Sequence, residues 1–175
     1  MLRDPLKREE GFRVLVNAYK RRLYWHVREL VLTHEDADDV LQNVFIRIFR
    51  NIDKFRGQSA LYTWMYRIAT NESLSFLKSK ANRMNKSLET LQQDLVDGLA
   101  DDPFFDGDEL ELKLQRAIVG LPEKQQLVFR MKYMQEMKYE DISEILGTTV
   151  GSLKASYHHA RKKIEAQLLK LDEHE

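Results

Sequence analysis

Apolar residues recur at helical spacing through almost the whole chain, and this periodicity is the feature that most constrains the fold. It runs through residues 11–32, 39–52, 61–76 and most of 110–170, whereas Gly and Pro fall at the breaks between these segments. Nothing along the chain resembles a strand-rich fold. The sequence therefore predicts an all-α protein.

The composition favours a water-soluble folded protein and excludes several classes of site. Of the 175 residues, 43% are hydrophobic and 32% are charged, which suits one domain or two small ones. The chain contains no cysteine, so we expect neither disulfides nor a thiolate metal site, and the reducing cytosol is the natural compartment. No apolar run approaches the roughly 18 to 20 residues that span a membrane, so we expect a cytoplasmic chain without membrane insertion.

Acidic residues are concentrated in the middle of the chain, although 28 basic and 28 acidic residues cancel overall. Residues 91–110 contain 7 Asp or Glu and no Lys or Arg, whereas residues 1–90 contain 17 basic and 11 acidic side chains. A net charge of zero is unusual for a nucleic-acid binder, but this segregation leaves basic surface available elsewhere. The acidic segment either aids solubility alone or keeps the basic faces off incorrect DNA.

The acidic segment is also the predicted domain boundary. Residues 84–108 contain Gly98, Pro103 and Gly107 and lack sustained periodicity. We therefore predict two small helical domains, residues 1–83 and 109–175, joined by a flexible acidic linker. Two aromatic residues are unusual in such a linker and are candidates to dock on one of the domains: Phe104 and Phe105.

The C-terminal part of the chain has the spacing of a helix-turn-helix, the two-helix motif that binds duplex DNA. A first short helix has an apolar face, Gly147 permits a tight turn, and Thr149 can cap a second helix. The apolar stripe of the second helix is formed by Val150, Leu153, Tyr157, Ala160, Ile164 and Leu168. Its other face suits a major groove, because cations can meet phosphates or guanine edges and a small residue permits close approach. That face and its shoulders contain Gly151, Ser152, Lys154, Ala155, His158, His159, Arg161 and Lys162. The alternative is an ordinary amphipathic helix, since every such helix has a polar face.

Residues 55–83 place aromatic and basic side chains on one amphipathic helix that follows a polar loop. This mixture suits single-stranded nucleic acid, because bases stack on aromatic rings while Lys and Arg follow the backbone. Beside the predicted buried stripe lies a second stripe with Trp64, Arg67, Asn71 and Lys78. The amide of Asn71 can both donate to and accept from a base edge. For Trp64 we favour the alternative of a core residue.

Three motifs together resemble the extracytoplasmic-function group of bacterial sigma factors. They are EDADDVLQNVFIRIFRNIDKF, FRGQSALYTWMYRIATNESLSFLKSK and LPEKQQLVFRMKYMQEMKYEDISEILGTTVGSLKASYHHARKKI, in the order and spacing of the family. The resemblance implies an initiation subunit of RNA polymerase. Its N-terminal domain, sigma region 2, would melt and capture the minus-10 element, and its C-terminal domain, sigma region 4, would bind the minus-35 element as duplex. Such proteins are commonly held by anti-sigma factors, which are often membrane-anchored.

The resemblance also implies roles for individual residues. The loop from Phe55 through Arg56 to Ser59, together with Asn71, matches the pocket for a base flipped from the non-template strand. The segment that docks on the clamp helices of core polymerase is matched by Asp36, Asp38, Asp39 and Gln42, although carboxylates in a first turn also stabilise the helix dipole. The minus-35 contact positions are matched by Lys154, Ala155, His158 and His159. The sequence departs from the family pattern at Asn43, at Lys138 in place of a common capping Ser, at Ser143 in place of Ala, and at Ser156 in place of a frequent Arg.

Enzymatic functions find little support in the sequence. Neighbouring residues on a helix point about 100° apart, so His158 and His159 cannot share a metal. No P-loop, nucleotide fingerprint or catalytic triad is apparent, and we expect no enzyme activity, cofactor or metal. Two alternatives remain: a helix-turn-helix regulator that binds duplex DNA without polymerase, and an all-α interaction module without nucleic acid.

Overall fold

A computed structural model describes residues 2–173, except the side chain of Asp172, and the prediction of an all-α fold is confirmed. The described residues form eight α-helices with short 3₁₀ and π turns and contain no strand. The chain divides into two compact units between Leu77 and Lys78.

The first unit is built from α1 (Arg8–Val31), α2 (His34–Asn51) and most of α3 (Leu61–Arg83). A 3₁₀ turn, Ile52–Lys54, follows α2. Thr33 caps α2 by accepting a hydrogen bond from the backbone N–H of Asp36. The apolar faces of the helices meet in a core that includes Leu23, Val27, Val44, Ile48 and Met65, all fully buried.

The second unit begins within the last turns of α3 and contains the helices α4 to α8. These are α4 (Leu88–Asp97), α5 (Glu109–Val119), α6 (Glu123–Phe129), α7 (Tyr139–Leu146) and α8 (Val150–Asp172). Pro122 precedes α6, and a π turn, Arg130–Met134, continues α6 at its end. The α5 and α6 helices pack on α8 around Ile118, Phe129, Ala160 and Ile164.

Much of the segment that the sequence predicts to be a linker is helical in the structure. Ser87 caps α4, which packs on α5 and buries Leu91 and Val96. Apolar residues at positions 88, 91, 95 and 96 do follow helical spacing, but the surrounding acids and the shortness of the helix obscured this signal. Residues 78–108 belong to the second unit, so the expectation of a stretch without regular structure is wrong for α4. The domain boundaries and the flexibility of the linker remain predictions.

The two linker phenylalanines have different surroundings. The ring of Phe105 lies against Gly107, where an added Cβ would fall 2.2 Å from the ring. Phe104 is 61% exposed. Among the described residues, no helix is long and apolar enough to cross a membrane.

Candidate nucleic-acid and polymerase interfaces

The helix-turn-helix geometry predicted for the C-terminal part is present in α7 and α8. Gly147 ends α7 in the left-handed conformation, with φ of 67° and ψ of 35°. The hydroxyl of Thr149 caps α8 by accepting a hydrogen bond from the backbone N–H of Ser152, 3.2 Å away. Both residues therefore have the structural roles that the sequence predicts.

Two departures from the family pattern have visible consequences in this motif. Lys138 occupies the position before α7 and provides no side-chain cap. The hydroxyl of Ser143 donates a hydrogen bond of 2.5 Å to the carbonyl of Thr148 and so ties α7 to the turn. Ser143 was not among the residues that the sequence predicts to be functional, and its contact depends on the tertiary path of the turn.

The face of α8 predicted to contact the minus-35 element is open to solvent. Leu153, Ala160 and Ile164 turn inward and are buried. The predicted contact residues on the other side are all exposed except Ser152, which is partly buried: Lys154, Ala155, His158, His159, Arg161 and Lys162. The predicted residues therefore share one accessible basic face.

Not every cation on this face is equally available for DNA. The Nε of Arg161 donates to Oε1 of Glu165 at 2.8 Å, one helical turn away. This hydrogen bond raises the pKa of Arg161. A phosphate would have to compete with this contact, so Arg161 is a weaker candidate for phosphate contact than Lys154.

A lysine that the sequence did not predict to be functional also lies next to this face. The Nζ of Lys124, in the first turn of α6, donates to the hydroxyl of Ser152 at 2.6 Å. This contact places an exposed ammonium beside the start of α8, although the two residues are far apart in sequence. Only the packing of α6 against α8 could reveal it.

In the first unit, the loop between α2 and α3 presents an aromatic pair. The rings of Phe55 and Trp64 lie 5.3 Å apart between centroids, tilted by 45°. Both side chains are partly buried, so Trp64 packs within the unit while part of its ring stays accessible. The guanidinium of Arg3 donates to the backbone carbonyl of Phe55 at 2.8 Å and holds this loop, a contact that the sequence did not predict.

The other predicted single-strand residues divide between the units. Arg67 and Asn71 are exposed and share one face of α3 with Trp64, at positions i, i+3 and i+7. In the loop, Arg56 is exposed and Ser59 is partly exposed. Lys78 falls in the second unit, where its Nζ lies 3.5 Å from Oε2 of Glu123. The first unit therefore contains the aromatic pair, the guanidinium and the amide, and Lys78 lies two turns after Asn71 along α3.

The predicted polymerase-binding residues occupy the first turns of α2. Asp38, Asp39 and Gln42 are exposed, and Asp36 is partly exposed. The Nε2 of His34 lies 3.3 Å from a carboxylate oxygen of Asp38. These carboxylates also lie where the helix dipole favours negative charge, so the two interpretations remain compatible. Ile46, which is 48% exposed, continues the face of Asp39 and Gln42 by one turn and was not predicted.

Both units of the chain are similar to known protein families. Residues 15–83 match the family model described as Sigma-70 region 2, and residues 111–164 match the one described as Sigma-70, region 4. The chain is 30% identical over 168 residues to the ECF RNA polymerase sigma factor SigW of Bacillus subtilis, covering 91% of this chain and 90% of that protein.

Solved structures with a similar fold include sigma factor RpoE in complex with the anti-sigma factor NepR from Bartonella quintana. That match has a TM-score of 0.68 at 19% identity and covers 91% of this chain and 97% of the other. A second is CnrH in complex with the cytosolic domain of CnrY, with a TM-score of 0.66 at 20% identity, covering 94% and 90%. Among residues 2–173, no cluster of His, Asp and Glu is arranged to hold a metal ion.

Proposed function

Since this chain belongs to the extracytoplasmic-function group of RNA polymerase sigma factors, we propose that its two units divide promoter recognition between single-stranded and duplex DNA. Members of this family are transcription initiation factors rather than enzymes. In the proposal, the first unit captures the melted minus-10 element and the second binds the minus-35 element. The chain acts in the cytoplasm, bound to core RNA polymerase.

The main support for the first half of the proposal is the pairing of Phe55 with Trp64 beside exposed Asn71. Each aromatic ring offers a stacking surface for a base, at about 1 to 3 kcal/mol per base. Asn71 adds a donor and an acceptor for the edge of one flipped base. Arg67, on the same helical face, supplies a positive charge for the phosphates.

The exposed basic face of α8 supports the second half. A helix of this length, held at its start by Thr149 and on its inner face by a buried core, can present its first turns to a major groove. Within α8, Lys154 is the exposed cation nearest to that start, and Ala155 beside it permits close approach. We assign Lys154 to base or phosphate contact in the minus-35 element.

Core polymerase completes the mechanism in this proposal. The carboxylates of Asp38 and Asp39 dock on the polymerase, which then fixes the separation of the two units and makes the second DNA contact effectively intramolecular. The chain alone should therefore bind promoter DNA weakly.

An anti-sigma factor is the proposed inhibitory partner. The supporting observation is that both similar solved structures are complexes, one of them with a protein described as an anti-sigma factor. A partner of this kind should copurify with the tagged chain from unstressed cells and should suppress initiation when added to purified polymerase. If the copurified protein leaves initiation unchanged, it is not an anti-sigma factor for this chain.

The decisive experiment is transcription in vitro with core RNA polymerase, with and without the chain, on a genomic fragment library. We expect discrete start sites with permanganate-reactive thymines at a shared upstream motif. If no starts appear and the chain binds duplex by itself, a polymerase-independent helix-turn-helix regulator is the better account.

Two variants separate the roles of the units in that assay. Asn71→Ala should reduce permanganate reactivity and transcript yield while the chain still binds polymerase, whereas Asn17→Ala, an exposed amide on α1, should change neither. Lys154→Ala should weaken binding to promoters with the minus-35 element, and Lys170→Ala removes the same charge from a distant part of α8. Equal loss on DNA without that element would show that the Lys154 contact is nonspecific.

A further inference from the structure

We propose that Tyr139 is a positioning residue that orients the ammonium of Lys154 toward DNA. This inference rests on the proposed role of Lys154 in minus-35 binding. The Nζ of Lys154 lies 5.8 Å from the centroid of the Tyr139 ring, within the range of a cation–π contact. Tyr139 begins α7 and Lys154 lies in the second turn of α8, so the contact joins the two helices of the helix-turn-helix.

The ring of Tyr139 is held in place by a row of aromatic residues. It meets Tyr157 edge to face, with centroids 6.5 Å apart. Tyr157 stacks on buried Phe129 at 5.9 Å, and Phe129 stacks on Tyr133 at 5.0 Å. Tyr139 is therefore anchored from the core of the second unit and cannot simply follow the mobile end of a surface lysine.

The chemistry of the ring suits a cation. Burial, with Tyr157 as a second cause, raises the pKa of Tyr139, so the phenol stays neutral at physiological pH. An uncharged ring with a negative face attracts an ammonium without fixing it as tightly as a carboxylate would. Lys154 can therefore stay near the ring while its ammonium donates to a phosphate or a guanine.

A second lysine restricts where Lys154 can lie. The Nζ of Lys132 lies 4.5 Å from the same ring centroid and donates to the backbone carbonyl of Met137 at 3.1 Å. Lys132 is partly buried and held by two contacts, whereas Lys154 is exposed. Because like charges repel, the held ammonium of Lys132 disfavours a closer approach of Lys154 to the same ring.

This arrangement reduces the conformational entropy that the Lys154 side chain loses when it binds DNA. A free lysine side chain loses rotamer freedom when it is fixed in an interface. A ring that already limits those rotamers should lower this cost and make contact by Lys154 stronger. Loss of the ring should weaken promoter binding about two- to fivefold, because Lys154 would then lose more rotamer freedom on binding DNA.

A double-mutant cycle tests the inference with polymerase holoenzyme on promoters that carry the minus-35 element. The variants are Tyr139→Leu, Lys154→Ala and their combination, and binding is measured at several salt concentrations. Tyr139→Leu should weaken binding about two- to fivefold in the parent but have no effect when Lys154 is already Ala. Tyr139→Phe keeps the ring and should restore most of the affinity, which excludes the hydroxyl as the cause.

The outcomes distinguish this inference from the proposed function. If Lys154→Ala alone leaves affinity unchanged, the minus-35 role of Lys154 fails, and this inference fails with it. If Lys154→Ala weakens binding but Tyr139→Leu costs the same in both backgrounds, Tyr139 acts only on the stability of the motif and the positioning role is overturned. Loss confined to the background that retains Lys154 supports it.

Discussion

Replacing Gln92 by Ala should loosen α4 from the second unit. The amides of Gln92 and Gln126 bond reciprocally, at 3.3 and 3.2 Å, and both side chains are only 8% exposed. Gln126 also donates to the carbonyl of Leu121 at 2.8 Å and to that of Val119 at 3.2 Å. This amide pair therefore links α4 to the backbone around the start of α6.

The size of the effect follows from the buried polar atom that the substitution leaves without a hydrogen-bond partner. In Gln92→Ala, the nitrogen of Gln126 keeps its carbonyl partners, but its buried oxygen loses the donor from Gln92. An unsatisfied buried polar atom costs about 1 to 3 kcal/mol. The opening equilibrium of α4 should therefore rise roughly 5- to 150-fold.

Amide hydrogen exchange measures this opening directly in the full chain. The amides of residues 92–97 should exchange faster in Gln92→Ala by that factor. Gln93→Ala is the matched control, because Gln93 is on the same helix, is less buried and contributes no bond to Gln126. The reasoning is refuted if both variants exchange alike, or if α4 in the parent exchanges as fast as an unstructured peptide.

Three further perturbations test local features. Gly147→Ala should destabilise the second unit by about 1 to 2 kcal/mol in urea titrations, because an alanine disfavours the left-handed conformation. The control Gly98→Ala, at a right-handed position with open space, should be neutral or slightly stabilising. Equal effects of the two substitutions would contradict this account. Thr149→Ala should cost about 1 kcal/mol through loss of the α8 cap, and no change in the urea midpoint would show that the cap is not needed. In a Trp25→Phe background, the fluorescence of Trp64 should be quenched by a single-stranded minus-10 oligonucleotide but not by its duplex, and quenching by both would argue against stacking.

The features that the sequence predicts well are those fixed by local chemistry. Gly147 and Thr149 carry their roles in their own backbone and side-chain preferences, so the turn and the start of α8 could be placed from the sequence alone. The pairing of Arg161 with Glu165 is also local, because side chains four residues apart are neighbours on a helix.

The features that could not be predicted from the sequence depend on contacts between distant segments. Nothing near Lys124 in the sequence indicates Ser152, and nothing near Arg3 indicates the carbonyl of Phe55. The helix α4 was missed for another reason, since its apolar side chains are few and lie among acids. Its stability comes from packing on α5 and from Gln126, which local propensity does not contain.

The hydrogen bond from Ser143 to Thr148 has an evolutionary consequence. The resemblance to the family implies a capping Ser at the position of Lys138, which provides no cap here, and Ala at the position of Ser143. A helix cap and a partly buried hydrogen bond are each worth about 1 kcal/mol, so one exchange can offset the other. A lineage that acquired Ser143 first could lose the cap without passing through a weakened intermediate, whereas the reverse order would expose it to one.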